Sequence, residues 1–302
     1  MTRKEITKLT MFIGLLMIMG RAGSASTATE VTQEVRRLGG QHTQLDAIDF
    51  HKTALAHIDA GRYHQAVEAL KQSINLKPDN ALAYSNLGAV YNSLENYAEA
   101  VEALKRAIYF EPDLVEAHYN LGRAYYSLAQ YNDAAETSRR AIRLQPNHAW
   151  AHNNLGATYN AQGRYSEAIE VLTKAVRLNP DFFEGFYNLS SAYYESHRYG
   201  DAVVALKEVI RLRPDLAEAN NGLGVMFLRL GRRKEAAEAF KRAVSLKDDY
   251  AVARFNLGAA YIALGDKSAA LEQHRLLQSL NPGLAHDLFS GIYRNRVLSV
   301  GK

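Results

Sequence analysis

The chain has 302 residues, 47% of them apolar, and no cysteine. The apolar content is that of a protein with a folded core, and the missing cysteine excludes disulfide bonds, thiolate metal sites and cysteine nucleophiles. The formal net charge is +4, from 36 basic and 32 acidic residues.

The first segment, Met1–Ala28, is predicted to be an export signal. Arg3, Lys4 and Lys8 give it a basic start, and the apolar run Met11–Met19 and several small residues follow. This is the order of a secretory signal peptide. The run is much shorter than the roughly 20 residues that span a bilayer. We therefore expect cleavage, no stable membrane insertion and a periplasmic or extracellular mature protein, which would be membrane-anchored only if the segment stays uncleaved.

Loss of this segment changes the charge balance. It contains four basic residues and one acidic residue, so that 32 basic and 31 acidic residues remain, a net charge of +1. This balance gives no electrostatic reason to expect nucleic-acid binding. Residues 29–46 are polar and include Gly39 and Gly40, and we predict a linker there.

A pattern with a period of 34 residues follows from Ala47. Its clearest copy, Ala81–Leu114, has apolar residues at helical spacing in two stretches separated by Glu95 and Asn96, which predicts two amphipathic helices joined by a turn. Proline ends the second helix because it cannot continue one. The six prolines keep this period with one omission, at Asp248: Pro78, Pro112, Pro146, Pro180, Pro214 and Pro282.

Small residues keep the same period. Alanine recurs at Ala66, Ala100, Ala134, Ala168, Ala202, Ala236 and Ala270. Glycine recurs at Gly88, Gly122, Gly156, Gly224 and Gly258. Small side chains allow two helices to approach closely, so the chain is predicted to be an array of helical hairpins.

The period, the closing prolines and the segments Tyr119–Tyr125 and Tyr187–Tyr193 resemble the tetratricopeptide repeat family. The resemblance implies an all-α fold, a right-handed superhelical α-solenoid of helix-turn-helix repeats whose first helices line the concave face. Seven repeats are expected over residues 47–284: 47–80, 81–114, 115–148, 149–182, 183–216, 217–250 and 251–284.

The last segment, residues 285–302, begins with apolar residues at helical spacing: Ala285, Leu288, Phe289 and Ile292. We predict a C-terminal capping helix that covers the open face of the last repeat, followed by a tail. A helix that binds a partner is the alternative.

The sequence contains no phosphate-binding glycine loop, no HExxH and no nucleophile elbow. His118, His148 and His152 could in principle bind a metal. His118 and His152, however, occupy the position of Tyr84 and Phe186 in other repeats, which indicates packing residues. We therefore predict a protein that is not an enzyme and holds no metal or cofactor.

Asparagine recurs at one position of the first helices: Asn86, Asn120, Asn154, Asn188 and Asn256. Neighbouring residues of this column should lie about 10 Å apart, and a carboxamide can pair with any peptide backbone. The column resembles the asparagine ladder with which the repeats of O-linked N-acetylglucosamine transferases hold extended peptides. The alternative is that these asparagines bond only locally or to water.

Aromatic and polar residues occupy positions that the resemblance places on the concave face of repeats three to five: Tyr119, Arg123, Tyr126, Trp150, Asn153, Asn160, Tyr187 and Tyr194. Tyrosine, tryptophan and arginine concentrate binding energy at interfaces. Trp150 is the strongest candidate, because its counterparts Glu116, Glu184 and Glu218 are charged and so indicate an exposed position. The alternative is that some rings complete the packing of the hairpins.

We therefore expect a non-enzymatic scaffold that binds another protein, as an extended peptide or flexible segment in the groove of repeats three to five. The basic pair with which some members of the family grip a terminal carboxylate is missing at the corresponding positions. One alternative is a cell-envelope assembly or secretion accessory factor, similar to those of pilus biogenesis, that binds a folded partner. Another is a glycan-binding module that uses Trp150 and the tyrosines.

Overall fold

A computed structural model describes residues 25–294, which form fifteen α-helices and no strand. The helices follow one another as seven helix-turn-helix repeats, and one more helix comes after the seventh. The prediction of an all-α array of such repeats is confirmed. The bounds are α1 Ala25–Asp59, α2 Tyr63–Leu76, α3 Ala81–Ser93, α4 Tyr97–Phe110, α5 Val115–Ser127, α6 Tyr131–Leu144, α7 Ala149–Ala161, α8 Tyr165–Leu178, α9 Phe183–Glu195, α10 Tyr199–Leu212, α11 Ala217–Arg229, α12 Arg233–Leu246, α13 Ala251–Leu264, α14 Lys267–Leu280 and α15 Pro282–Arg294.

The turn inside each repeat contains one residue in the left-handed conformation. These residues recur every 34 positions, with φ between 57° and 81°: Gly61, Glu95, Ala129, Gly163, His197, Gly231 and Gly265. The N–H of the following residue donates to a carbonyl five positions earlier, as Asn96 does to Tyr91 at 2.9 Å. This bond satisfies a carbonyl that the ended helix leaves open, and the chain reverses direction within three residues.

The connections between repeats use the proline column. The residue before each proline is held away from helical backbone angles by the proline ring; Glu111, for example, has φ −136° and ψ 88°. In the repeats that have this proline, the second helix therefore ends at the same position.

The chain divides into two compact units, one up to Ala124 and one from Tyr125. In the first unit the core between α2 and α3 includes Leu70, Leu87 and Val90. Gly88 lies so close to Leu104 of α4 that a Cβ atom would overlap the leucine side chain. The glycine column therefore allows close packing of the two helices of this repeat.

The second unit repeats this packing. Gly156 lies against Leu172 and Gly224 against Phe240, where a Cβ atom would again overlap the facing side chain. The alanine column is fully buried in both units, as expected for residues at the closest approach of two helices.

The last helix, α15, covers α13 and α14 with a cluster that includes Phe255, Leu277 and Leu288. Gly258 has no leucine of its own repeat to face and is met by Leu288 of α15 instead. His274 Nδ1 and the carbonyl of Ala285 are 2.9 Å apart. The capping helix predicted from residue 285 is confirmed and begins at Pro282; the tail that we predicted after it, Val297–Lys302, lies outside the described residues.

The first helix differs from the prediction. It begins at Ala25, so residues 29–46 are helical and not a linker. Ala47 and Ala54 are buried, and Ser73 of α2 donates to the carbonyl of Ala47 at 2.8 Å. Each residue added to a helix anchored in this way forms one more backbone hydrogen bond. Gly39 and Gly40 destabilise the helix by about 1 kcal/mol each, which is not enough to end it. Most of the predicted export signal, residues 1–24, lies outside the described residues.

Candidate functional site

The first helices of repeats four to six present matching positions on one surface of the second compact unit. These helices are α7, α9 and α11, and their equivalent residues form three rows across them. The rows are Trp150, Glu184 and Glu218; Asn153, Tyr187 and Asn221; and Ala157, Ser191 and Val225. Because packed helices lie about 10 Å apart, each row is a series of side chains at that spacing.

Two cavities open on this surface and share Tyr187 and Glu218. The larger has a volume of about 470 Å³ and is further lined by Tyr126, Asn153, Asn154, Ala157, Phe183, Glu184, Asn188 and Leu216. The smaller has a volume of about 310 Å³ and is further lined by Ser190, Ser191, Tyr194, Leu206, Asn221, Gly222, Val225, Met226 and Tyr250. We call the two cavities together the groove.

The asparagine column forms hydrogen bonds between neighbouring repeats. Asn188 donates through Nδ2 to Oδ1 of Asn153 at 2.9 Å, and Asn256 donates to Oδ1 of Asn221 at 3.0 Å. In the first compact unit, Asn86 Nδ2 lies 2.8 Å from His51 Nε2. Three members of the column therefore bond locally, as the alternative interpretation predicts.

Two asparagines of the predicted site are buried, and a third is hydrogen-bonded inside the array. Asn256 has no exposed surface and Asn120 is 8% exposed, so a bound peptide cannot reach either side chain as the helices are packed. Asn160 uses its Nδ2 atom inside the array, where it donates to the backbone carbonyl of Asn188 at 2.9 Å. Asn154 remains a candidate, since it lines the larger cavity.

The predicted aromatic residues divide into two groups. Tyr126, Tyr187 and Tyr194 line the groove, and Tyr187 is 41% exposed. Trp150 is 44% exposed, but its ring lies 4.1 Å from that of the buried Phe182 and lines neither cavity. Trp150 is therefore partly accessible to a ligand and partly packed against the core.

Four of the predicted residues belong to the first compact unit: Asn86, Tyr119, Asn120 and Arg123. All but Asn120 are half-buried. The groove belongs to the second unit and includes repeat six, which the sequence prediction did not contain. The predicted residues that line it are Tyr126, Asn153, Asn154, Tyr187, Asn188 and Tyr194.

The charge in the groove comes from Glu184 and Glu218, the charged residues among its described lining. Nζ of Lys247 lies 3.7 Å from Oε1 of Glu218. Burial raises the pKa of the Tyr187 phenol, and the negative charge of Glu218 raises it further. The pKa of Tyr250 is raised by burial and then by Glu218. The carboxylate of Glu218 is therefore close enough to both phenols to disfavour a second negative charge.

The histidines considered as metal ligands have structural contacts. Nε2 of His118 lies 2.8 Å from the carbonyl of Pro112, and Nε2 of His152 lies 3.0 Å from that of Pro146. His148 caps α7, because its Nδ1 accepts from a backbone N–H. In residues 25–294 no group of three acidic or histidine side chains has the arrangement of a metal site.

Gly222 is the residue of the groove whose role the sequence did not reveal. It interrupts the asparagine column, and a Cβ atom added there would lie 3.5 Å from Leu206, at ordinary contact distance. The missing side chain opens the smaller cavity down to Leu206. The sequence shows that Gly222 interrupts the asparagine column. It does not show whether a neighbouring side chain fills the space that an asparagine would occupy, because that depends on how the helices pack.

Models of the tetratricopeptide repeat family match this chain along most of its helical array. Models described as tetratricopeptide repeat match residues 149–182 and 187–251, and one described as TPR repeat matches residues 54–94, 90–128 and 122–163. Together they cover more than half of the chain. The protein belongs to the tetratricopeptide repeat family.

Solved structures of other tetratricopeptide repeat proteins share the fold. PilF of Pseudomonas aeruginosa has a TM-score of 0.61 and 21% identity, over 70% of this chain and 96% of its own. The C-terminal part of a TPR repeat-containing protein from Cytophaga hutchinsonii has a TM-score of 0.62 and 17% identity, over 79% and 98%. YrrB, described as a TPR protein with an unusual peptide-binding site, has a TM-score of 0.52 and 21% identity, over 62% and 96%.

These likenesses show the fold, and the search among curated proteins found no match. Membership of the tetratricopeptide repeat family supports a protein–protein interaction scaffold, which is the broader part of the predicted function. Within residues 25–294, no helix is long and apolar enough to cross a membrane.

Proposed function

We propose that this tetratricopeptide repeat protein binds an extended peptide, or a flexible segment of another protein, in the groove of repeats four to six. The observation that carries the proposal is the pair of adjoining cavities, which share Tyr187 and Glu218 and extend across the first helices of repeats four to six, with Tyr126 of the preceding first helix, α5, also lining the larger one. Three helices at about 10 Å spacing match an extended segment of about six to ten residues. The proposed site moves one repeat toward the C-terminus from the position predicted from sequence.

The groove supplies what an extended backbone requires. Oδ1 of Asn153 already accepts a bond from Asn188, so its own N–H groups are left to donate to a peptide carbonyl. Tyr126, Tyr187 and Tyr194 offer ring faces and hydroxyl groups to side chains of the peptide. Such a surface holds the backbone by its polar groups and selects side chains through the cavities between them.

We further propose that the protein acts without catalysis and after export. The proposal that it acts without catalysis rests on the absence of a catalytic motif from the whole sequence and on membership of a family of interaction modules. The proposal that it is exported rests on the order of basic, apolar and small residues in Met1–Ala28.

The test is selection of unstructured peptides about twelve residues long from a random display library, with affinities then measured by fluorescence anisotropy. Selected peptides should bind the full chain. Their affinity for the Tyr187→Ala variant should be at least about tenfold lower, a loss of about 1.4 kcal/mol, because aromatic side chains at the centre of an interface contribute much of the binding energy. Gly222→Asn should weaken binding as well, since the new carboxamide enters the smaller cavity.

The matched control is Tyr109→Ala, which removes a tyrosine that is 74% exposed on α4 and lines neither cavity. It should bind like the unchanged chain, and circular dichroism checks the helical content of each variant. Failure to select any peptide, or equal binding by all variants, would contradict the proposal. Displacement of selected peptides by free glycan fragments would favour the glycan-binding alternative.

A further inference from the structure

We propose that the groove selects segments carrying a lysine or arginine side chain, which lies on the Tyr187 ring between the carboxylates of Glu184 and Glu218. The inference rests on the peptide-binding function proposed above and adds the chemistry of the ligand. The occupant is a basic segment of another protein.

The two carboxylates occupy one position on successive first helices. Glu184 lies in the first turn of α9 and Glu218 in the first turn of α11, and both line the larger cavity. At the usual spacing of packed helices they are about 10 Å apart, so a cation midway would interact with both. No lysine or arginine is among the described residues that line the groove.

Both carboxylates are open to a new partner. Within residues 25–294 no ion pair or hydrogen bond engages the carboxylate of Glu184. Glu218 has Lys247 at 3.7 Å, with the two side chains 42% and 50% exposed respectively. An ion pair so accessible to water is weak, and an incoming cation can compete with it.

Tyr187 completes a cation site between them. Its ring is 41% exposed and lines both cavities, and the face of an aromatic ring attracts a lysine or arginine head group. Tyr126 and Phe183 line the same cavity and offer an apolar surface to the aliphatic stem of the side chain. The raised pKa of Tyr187, to which Glu218 contributes, agrees with a negative potential at this ring.

Two arginines close to the groove already have partners. Nε of Arg213 lies 3.3 Å from Asp215, and its guanidinium carbon lies 5.0 Å from the Phe183 ring. Arg229 donates to the hydroxyl of Tyr194 at 3.0 Å. Neither arginine lines the cavities, and within residues 25–294 no ion pair joins either of them to Glu184.

The experiment uses three synthetic peptides of about ten residues, labelled and capped at both ends. They share a frame of serine, alanine and leucine, and differ only in three central positions that are all lysine, all glutamine or all glutamate. Anisotropy titrations of the full chain should give the lysine peptide an affinity about tenfold above that of the glutamate peptide, because opposite charges attract and like charges repel at this site. Raising sodium chloride from about 0.05 to about 0.5 M should reduce the difference.

Charge variants assign the preference to the proposed residues. In the double variant Glu184→Gln and Glu218→Gln, the preference for the lysine peptide should fall below about threefold. Lys247→Gln should instead strengthen binding of that peptide, since it removes the competing cation. The matched control, Glu136→Gln with Glu170→Gln, makes the same change of net charge on exposed positions of α6 and α8 and should keep the preference.

The outcomes separate the inference from the function on which it rests. Equal binding of all three peptides, or a preference that survives in the Glu184 and Glu218 double variant, would overturn the inference and leave peptide binding standing. If neither these peptides nor any library peptide binds the folded chain, the proposed function fails, and the inference fails with it.

Discussion

At position 254 and its equivalents in other repeats, different side chains make the same hydrogen bond to the backbone. His118, His152 and Arg254 each place a nitrogen against the carbonyl six residues earlier, at 2.8 to 3.0 Å. That carbonyl belongs to a proline in the two histidine repeats and to Asp248 in the other. Arg254 also forms an ion pair with the Asp248 carboxylate. The one break in the proline column therefore has a local compensation.

The assignment of these histidines to packing needed only the sequence, because tyrosine and phenylalanine occupy the same position elsewhere. Their hydrogen-bond acceptors could not be inferred in the same way. A position in a repeat indicates which face a residue occupies, but the distance to a carbonyl in the preceding turn depends on how that turn is folded.

The left-handed turn residues give the first prediction. Ala129 has φ 57° at a position where Gly61, Gly163, Gly231 and Gly265 stand in other repeats. A residue with a Cβ atom is destabilised by about 1–2 kcal/mol in this conformation. Glycine avoids that cost but gives the unfolded chain more conformational entropy, which offsets about 0.4–1 kcal/mol of the gain. Ala129→Gly should therefore stabilise the protein by about 0.5–1 kcal/mol, measured as a rise in the midpoint of urea unfolding.

The reverse substitution at an equivalent turn is the control. Gly163→Ala should destabilise the protein by a similar amount, since it introduces a Cβ atom where φ is 73°. A lowered midpoint for Ala129→Gly would show that the alanine makes a favourable contact that outweighs its backbone cost.

At the scale of elements, α15 closes the array because its Leu288 fills the space over Gly258 that a residue of the same repeat fills elsewhere. In three other repeats Leu104, Leu172 and Phe240 fill the space above a glycine, but the corresponding residue of the seventh repeat is His274. Leu288 of α15 occupies that space over Gly258. The helix therefore completes the core of the repeat as well as covering its end.

The second prediction concerns this cap. Leu288 is fully buried, and Leu288→Ala should cost about 2–5 kcal/mol in the stability of the region around it. Hydrogen exchange followed by mass spectrometry should show lost protection in α13 and α14, with α3 and α4 unchanged. Leu280→Ala, at a residue 40% exposed on α14, should change protection little. Uniform loss along the chain would contradict a local role for the cap.

The first helix is the element that sequence reasoning missed. Its N-terminal half has two adjacent glycines and no sustained apolar face, which are signals of a linker. Helix continues there because the half that follows is anchored on α2. Local propensity could not reveal this, since the anchor comes from a contact with another helix.

At the scale of the whole molecule, most of the basic excess lies in the first segment, Met1–Ala28, which we propose to be an export signal. The chain from Thr29 has a near-balanced charge, and no helix described in the structure could cross a membrane. The chain also divides into two compact units, and the groove lies in the second.

The third prediction is export with cleavage. Protein made in a bacterial host from its own N-terminus should be found in the periplasm or medium, and its intact mass should correspond to a chain that begins at Thr29 or close to Ala25. Leu15→Arg with Leu16→Arg should block export, because charges disrupt the apolar run. Leu45→Arg, outside the signal, should leave it intact. Recovery of a full-length chain in the cytoplasm would contradict the prediction.

The sequence by itself determined the period, the all-α repeats, the family and the capping helix. Each follows from side-chain volume or backbone geometry repeated every 34 residues: proline stops a helix, glycine and alanine allow close approach, and apolar spacing defines the buried face. It also placed tyrosines and asparagines on the first helices. Only the tertiary structure decided which of them are accessible to a ligand. Asn256 and Asn188 carry the same side chain at the same position, yet one is buried and the other lines a cavity, because access depends on what the neighbouring repeats place around each residue.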